Sequence, residues 1–420
     1  MRSLTYKVVD SLQMKLHLEA DELHYTPDQL FQMAARKNPK RAYLFVSKVI
    51  GKHIAVNPAV AFQFASQLAN KVAEVLPCSK RKTRWKPHTP VSFFGYAETA
   101  TGLAHAVFRE FENASFLHST RVRFPNVTPL FSFEEEHSHA TRHDVYATQT
   151  HFHFDRPLVL VDDEISTGNT IMNTIQSLHD KIPRKHYVVA SLLDWRTAPE
   201  QEAFIALEAK LGCRIDTVTL LKGEREQIGH LTDTDPQWEK CSTHSDVVLK
   251  VSSLSSLHAL PLDETNLPRR RETGRFGLTS EDQIRVDQWC HQVGECLREK
   301  RKGSQTLVLG TGEFMYLPMR IALSMGEGVV MQSTTRSPIL VRDTPDYAVR
   351  HGLQFDSIEG ESLTEYVYNV GEGMYDELFL LLETMPYPAH VQSVVATCKE
   401  LGIEHVHVYT LAKEKEGSLT

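Results

Sequence analysis

Two adjacent carboxylates followed almost at once by small hydroxyl residues give the strongest chemical signal in this 420-residue chain: Asp162-Asp163, then Ser166-Thr167-Gly168-Asn169-Thr170. Neighbouring carboxylates accept hydrogen bonds from neighbouring hydroxyls. A short Ser/Thr/Gly turn that opens a helix offers unpaired backbone N–H groups and hydroxyl donors suited to a phosphate. One end of such a site holds hydroxyls and the other holds phosphate. The elements that must position these groups are readable on either side. Leu158 to Val161 is an unbroken apolar run, which suits a strand buried on both faces of a parallel sheet. The acids then fall at its carboxyl end, where open α/β sheets bind ligands. The motif helix is expected from about Gly168 to His179.

Apolar strand, acid pair and a loop ending Thr167-Gly168-Asn169-Thr170 together resemble the phosphoribosyl-diphosphate (PRPP) signature of type I phosphoribosyltransferases. That resemblance implies an α/β fold with a Rossmann-like parallel sheet and transfer of ribose 5-phosphate from PRPP to a base-like acceptor, with release of pyrophosphate. It places Asp162 and Asp163 against the ribose 2′- and 3′-hydroxyls and Ser166, Thr167, Gly168, Asn169 and Thr170 around the 5′-phosphate. Mg²⁺ would bridge diphosphate oxygens and ribose hydroxyls beside the acid pair. A second strand, turn and helix, Val91 to Phe108, stands where the family holds the pyrophosphate arm, implicating Gly95, Thr99, Thr101 and Gly102. Glu98 in that turn either caps the helix or needs an intervening metal ion. The polar block from Glu134 to Asp155 matches the family's mobile loop, so Arg142 and His143 would neutralise the departing pyrophosphate. Ser166 is a departure, because purine salvage enzymes usually place an aspartate there, and it favours an orotate-type or unusual acceptor. Glu164, where the family often has an apolar residue, is a second.

The histidines of the polar block allow another reading. His137, His139, His143, His151 and His153 either belong to the mobile loop or form a metal cluster, although no cysteine joins them and their spacing matches no common zinc pattern. Tyr187 to Leu193 reads as the next buried strand, with Asp194, Trp195 and Arg196 at its carboxyl end. An aromatic face and a guanidinium there suit an acceptor base; a strand end with a packed tryptophan is the alternative.

Composition bounds the rest. With 46 basic and 53 acidic residues and a net charge of −7, no broad nucleic-acid surface is expected. No apolar run reaches membrane-spanning length and the start lacks a signal-peptide core, so a cytoplasmic protein with no membrane association is expected. Six scattered cysteines form no Cys-x-x-Cys pair and predict reduced structural thiols.

Length alone calls for two or three domains. The expected division is a phosphoribosyltransferase-like domain over 1–251, a linker over 252–279 with the basic Gly274-Arg275-Phe276-Gly277 segment, and a second α/β domain over 280–420. Thr26 as N-cap and Pro27 at the first helical position predict a helix from Pro27 to Lys37, followed by a strand over Arg41 to Ser47. Lys48 and Lys52 then form either an anion-binding loop or a solvated face. In the second domain, Thr335-Arg336-Ser337-Pro338, with Leu309 to Pro318, resembles the Thr-Arg-Ser-Pro (TRSP) domain found after phosphoribosyltransferase domains in bacterial operons of tellurite resistance and stress response. That resemblance implies a pathway making a nucleoside-like metabolite; partner enzymes of the same pathway and a homodimer are further expectations. Hydroxyls and a fixed cation at Thr334, Thr335, Arg336 and Ser337 suit a phosphate or carboxylate. A PRPP-sensing regulator acting through RNA or a protein partner is the alternative to an enzyme.

Overall fold

The structure, a computed structural model, describes residues 2–19, 25–38, 41–81, 83–134, 142–147, 156–233, 235, 237–241, 249–262, 267–360 and 363–412. It divides into two compact units: Met1–Ile50, Ala61–Asp233 and Gly274–Gln283 in the first, and Gly51–Val60, Thr234–Thr273 and Ile284–Thr420 in the second. No helix among the described residues is long and apolar enough to cross a membrane.

An eight-stranded sheet organises the first unit, in the order Arg2–Val9, Leu12–Leu18, Arg214–Gly229, His186–Asp194, Leu158–Ile165, Val91–Gly95, Ala114–His118 and Leu278–Thr279. The five central strands run parallel. The chain lays down Val91–Gly95, steps sideways to Ala114–His118, and then returns to place Leu158–Ile165 on the other flank of Val91–Gly95. That reversal is a topological switch point, where the loops leaving two adjacent strands diverge and open a crevice. Leu158 to Val161 are fully buried, as an apolar run covered on both faces requires. The helices Thr101–Arg109 and Asn169–Lys181 follow the two switch-point strands.

Two local expectations are corrected. The helix predicted from Pro27 to Lys37 is a single turn, Pro27–Leu30, followed by a strand, Phe31–Ala35, paired with Tyr43–Ser47. Thr26 does begin a capping box with Gln29. An isolated short helix is marginal, however, and tertiary packing decides: Phe31 lies edge-on to Phe45 at 4.9 Å and to Trp195 at 5.9 Å. The stretch expected to link the domains is divided between the units. Leu278 pairs with Phe116 as an edge strand of the first sheet, and the Ser280 hydroxyl accepts the Ala114 N–H at 2.9 Å. Gly274, at φ +89°, lies so close to Phe116 that a Cβ would stand 2.5 Å from its ring.

The second unit is built on a five-stranded parallel sheet ordered Val251–Ser253, His405–Thr410, Glu377–Leu382, Thr306–Gly310 and Val329–Ser333. It has its own switch point, between Thr306–Gly310 and Glu377–Leu382. Residues from the early chain complete it. Ser333 N–H donates to Gly51 O at 2.8 Å, Val56 bridges Met331, and buried Lys52 donates to Gly312 O at 2.7 Å. Lys52 is therefore a core cation of this unit, while Lys48 donates to Asp28 O at 2.7 Å in the first.

Fully buried Glu377 anchors the turn before Thr306. Its carboxylate accepts the Lys302 N–H at 2.9 Å, the Gly303 N–H at 3.3 Å and the Thr306 hydroxyl at 2.9 Å. Glu377→Ala leaves these donors unsatisfied and is expected to lower the stability of this unit by about 3 kcal/mol. Urea denaturation checks it, and a midpoint unchanged from the parent chain would contradict the assignment.

Candidate active site

The first unit's strand-end site starts with backbone pairing. Val161 stands opposite Gly95 in parallel register, and the Tyr96 N–H donates to Val161 O at 3.2 Å. The acid pair and the turn after Gly95 consequently leave the sheet side by side. The motif strand runs on to Ile165, so Asp162 and Asp163 are its penultimate turns of pleat rather than loop residues. Both are partly exposed, and the Asp162 carboxylate accepts the Asp163 N–H at 2.9 Å. Gly168 takes φ +82° at the N-cap of the motif helix, and a Cβ there would meet the Phe204 ring at 2.4 Å. Ser166, Thr167, Asn169 and Thr170 are partly exposed around it. Backbone donors of a helix start, hydroxyls and two carboxylates thus share one strand end.

Glu164, one of the two departures from the family pattern, has a structural partner. Its two oxygens lie 2.7 and 2.9 Å from Arg41 Nη2, and the Arg41 guanidinium sits 4.8 Å from the Tyr43 ring centroid. The same guanidinium interacts electrostatically with Asp163. Arg225 ties the motif loop down from another side, donating to Ser166 O at 3.1 Å, Trp195 O at 3.0 Å and the Tyr43 hydroxyl at 2.6 Å. Neither arginine stands in a local motif.

In the neighbouring turn, Gly95 packs where a Cβ would come within 2.6 Å of Ala104 Cβ. The Ala97–Glu98 peptide is cis. Glu98 is buried with Arg121 at 3.9 Å, so its charge is compensated within the protein. Thr101 is buried with its hydroxyl on Glu98 O at 3.3 Å, Gly102 is buried, and Thr99 is partly exposed. Ser119 connects this turn to His143: its Oγ accepts the Ala97 N–H at 2.9 Å and lies 3.1 Å from His143 Nδ1. His143 is buried and stacked on Phe133 at 4.8 Å. Arg142 is half exposed and donates to Asp144 at 3.0 Å. His137, His139, His151 and His153 lie outside the described residues, among which no group of three or more metal-ligating side chains gathers.

Asp194, Trp195 and Arg196 are all buried. Arg196 makes a two-pronged pair with Asp194 at 2.9 and 2.7 Å and covers the Phe204 ring at 4.2 Å. Trp195 stacks on Phe45 at 4.8 Å, and its indole N–H has no hydrogen-bond partner among the described residues.

At the second unit's strand ends, the Thr334 hydroxyl donates to Glu365 at 2.7 Å and accepts the Gly312 N–H at 2.9 Å. Thr335 exchanges backbone hydrogen bonds with Tyr366. Arg336 and Ser337 are partly exposed. Across the switch point, Glu359 accepts the Thr311 hydroxyl and both the N–H and hydroxyl of Thr384, the last at 2.9 Å. Burial, with Glu383 nearby, pushes the Glu359 carboxyl up to about 7.

These features can be set against known proteins. A family model described as phosphoribosyl transferase matches residues 30–224, and one described as the TRSP domain C-terminal to it matches 272–398. Similar solved structures include the adenine phosphoribosyl transferase of Trypanosoma brucei in complex with AMP, pyrophosphate and ribose-5-phosphate (11% identity, 52% of this chain and 87% of that one, TM-score 0.32). Others are the adenine phosphoribosyltransferases of Thermoanaerobacter pseudethanolicus (15% identity, 46% and 96%, TM-score 0.27) and Leishmania tarentolae (12% identity, 47% and 87%, TM-score 0.30). No curated protein matches the chain.

Two outcomes are expected from this geometry. Gly168→Ala forces a side chain into a left-handed backbone and against Phe204, and should cost ~2 kcal/mol or more in thermal or urea unfolding; a neutral effect would contradict the described turn. Glu359 has a native pKa raised from the ordinary 4.5 to about 7, so the folded state holds its proton more tightly than the unfolded chain does. Stability is then greatest below the ordinary value and falls as pH rises through the native one. Glu359→Gln, which mimics the protonated form, should remove that loss and be more stable than the parent by ~2 kcal/mol at about pH 8, after allowance for partial exposure. Parallel urea titrations in acid and mild base measure it; an equal difference at both pH values would contradict it.

Proposed function

We infer that this chain, which belongs to the phosphoribosyl transferase family and continues into a TRSP domain, transfers ribose 5-phosphate from PRPP to a nitrogenous, base-like acceptor. The observation that carries this reading is the shared switch point: the acid pair, the helix-start anion loop and the turn after Gly95 all leave adjacent parallel strands.

In this reading Asp162 and Asp163 accept hydrogen bonds from the ribose 2′- and 3′-hydroxyls, and Ser166 to Thr170 surround the 5′-phosphate with N–H and hydroxyl donors. Gly95, Thr99, Thr101 and Gly102 receive the pyrophosphate arm. A nitrogen of the acceptor attacks C1′ while the bond from C1′ to the pyrophosphate oxygen breaks, and positive charge builds on the ring as it does. Catalysis rests on positioning and on charge stabilisation by the two carboxylates. Arg142 and His143 lie on the strand beside the turn's Ser119 contact, and supply the cationic and hydrogen-bonding groups for the departing pyrophosphate. Two partly exposed carboxylates suit Mg²⁺, which prefers one or two carboxylates together with phosphate oxygens and water; bound there with the substrate, it would neutralise diphosphate charge.

Trp195 supplies the acceptor contact, since a buried indole N–H without a partner is a costly donor that a ligand acceptor atom would satisfy. Asp194 and Arg196 hold that indole in place by bonding each other. Ser166 is a poor base at neutral pH, which favours an orotate-type or otherwise unusual acceptor that needs no proton taken by this loop. The TRSP domain supports a role in making a nucleoside-like metabolite of a stress and tellurite-resistance system.

Pyrophosphate release from PRPP and Mg²⁺ over a panel of free bases tests the reading. Acceptor-dependent release should fall by at least ~10³-fold in Asp162→Asn/Asp163→Asn, a loss equivalent to removing ~4 kcal/mol of transition-state stabilisation. Binding of PRPP without release for any acceptor would favour the sensing regulator instead.

A further inference from the structure

The second unit carries a cavity of about 640 Å³ that none of the strand-end motifs lines. Lys250, Lys300, Arg301, Lys302, Lys399 and His407 line it, against Glu299 as the acid among its lining residues. The four lysines are exposed and their ammonium groups form no hydrogen bond or salt bridge with a described residue. In a chain whose net charge is −7, gathering four such cations round one concavity builds local repulsion that an anion would relieve.

The turn that presents two of them is held rigid from beneath. Arg301, also in the lining, has its guanidinium committed to the protein, donating to Met325 O at 2.9 Å, Glu327 O at 2.8 Å and the Thr306 hydroxyl at 3.1 Å. Glu377 binds the Lys302 and Gly303 N–H groups, and Asp376 binds the N–H groups of Ser304 at 3.0 Å and Gln305 at 2.9 Å. Every backbone donor from Lys302 to Gln305 is thereby satisfied by a carboxylate, which fixes the turn while leaving the lysine side chains uncommitted. Binding there need not order the backbone of the turn, which is already fixed, and costs only the freedom of the lysine side chains.

We propose that this cavity binds a small molecule of nucleotide size bearing two or more phosphate charges. Its volume falls within the range of small-molecule sites. The cations surround one concavity rather than follow a stripe, and the nearby rings are occupied: His407 stacks on Phe379 at 4.4 Å, and Tyr409 is buried. No aromatic face is offered for successive bases, which disfavours single-stranded nucleic acid.

Calorimetric titration of tripolyphosphate into the full chain tests the proposal, in a Thr167→Glu background that places a carboxylate in the first unit's anion loop so that the second unit alone is read. One equivalent should bind, and Lys300→Ala/Lys302→Ala, which alters exposed side chains only, should weaken it by about tenfold or more. Added salt should weaken it as well. No binding, unchanged affinity in the double variant, equal affinity for AMP, or displacement by a short RNA oligomer that binds more tightly would each overturn the proposal.

Discussion

Everything in the first unit's candidate site depends on one parallel pairing, that of Leu158–Val161 with Ser92–Gly95. Because the chain had already turned to Ala114–His118 on the far side, the loops leaving these two strands diverge. A crevice opens where acids, hydroxyls and helix-start N–H groups meet. Burial bounds the pairing at the run's end: a one-residue slip would draw the first carboxylate into the covered part of the sheet or leave Val161 outside it, and would misplace both acids against the turn after Gly95. Gly95 keeps the strands' exit narrow, since Ala104 leaves no room for a Cβ. Arg41 and Arg225 then bring positive charge and carbonyl anchors to a strand end that would otherwise carry three successive acids.

The second unit repeats this topology with the polarity of the strand ends reversed. In the first, carboxylates stand at the crevice with partial exposure. In the second, the acids are consumed internally: Glu365 by Thr334 and Ser357, and Glu359 by Thr311 and Thr384. Threonine hydroxyls that a sequence pattern offers to an anion are here already bonded to the protein's own carboxylates. Arg336 and Ser337 are the members of that loop left facing outward.

Much of the parallel framework was legible because buried strands write themselves as apolar runs. Leu158 to Val161, Tyr187 to Leu193 and the motif helix between them read directly from pattern. The corrections have a common cause in contacts distant along the chain. Phe31–Ala35 became a strand because of Phe45 and Trp195, and Lys52 left its neighbours to join the second unit beside Gly312. Arg41 and Arg225 carry no local signature, so their approach to Glu164 and Ser166 could not be read before the fold. Asp194-Trp195-Arg196 shows the same limit: residue types that suit a ligand also suit a buried ion pair beside a packed indole, and sequence pattern offers both readings alike.

Binding of PRPP itself, measured calorimetrically with Mg²⁺ on the full chain, bears most directly on the central claim. The account predicts one equivalent per chain, with binding greatly weakened when Asp162 and Asp163 are both replaced by asparagine. Absence of PRPP binding, or binding indifferent to the acid pair, would contradict it.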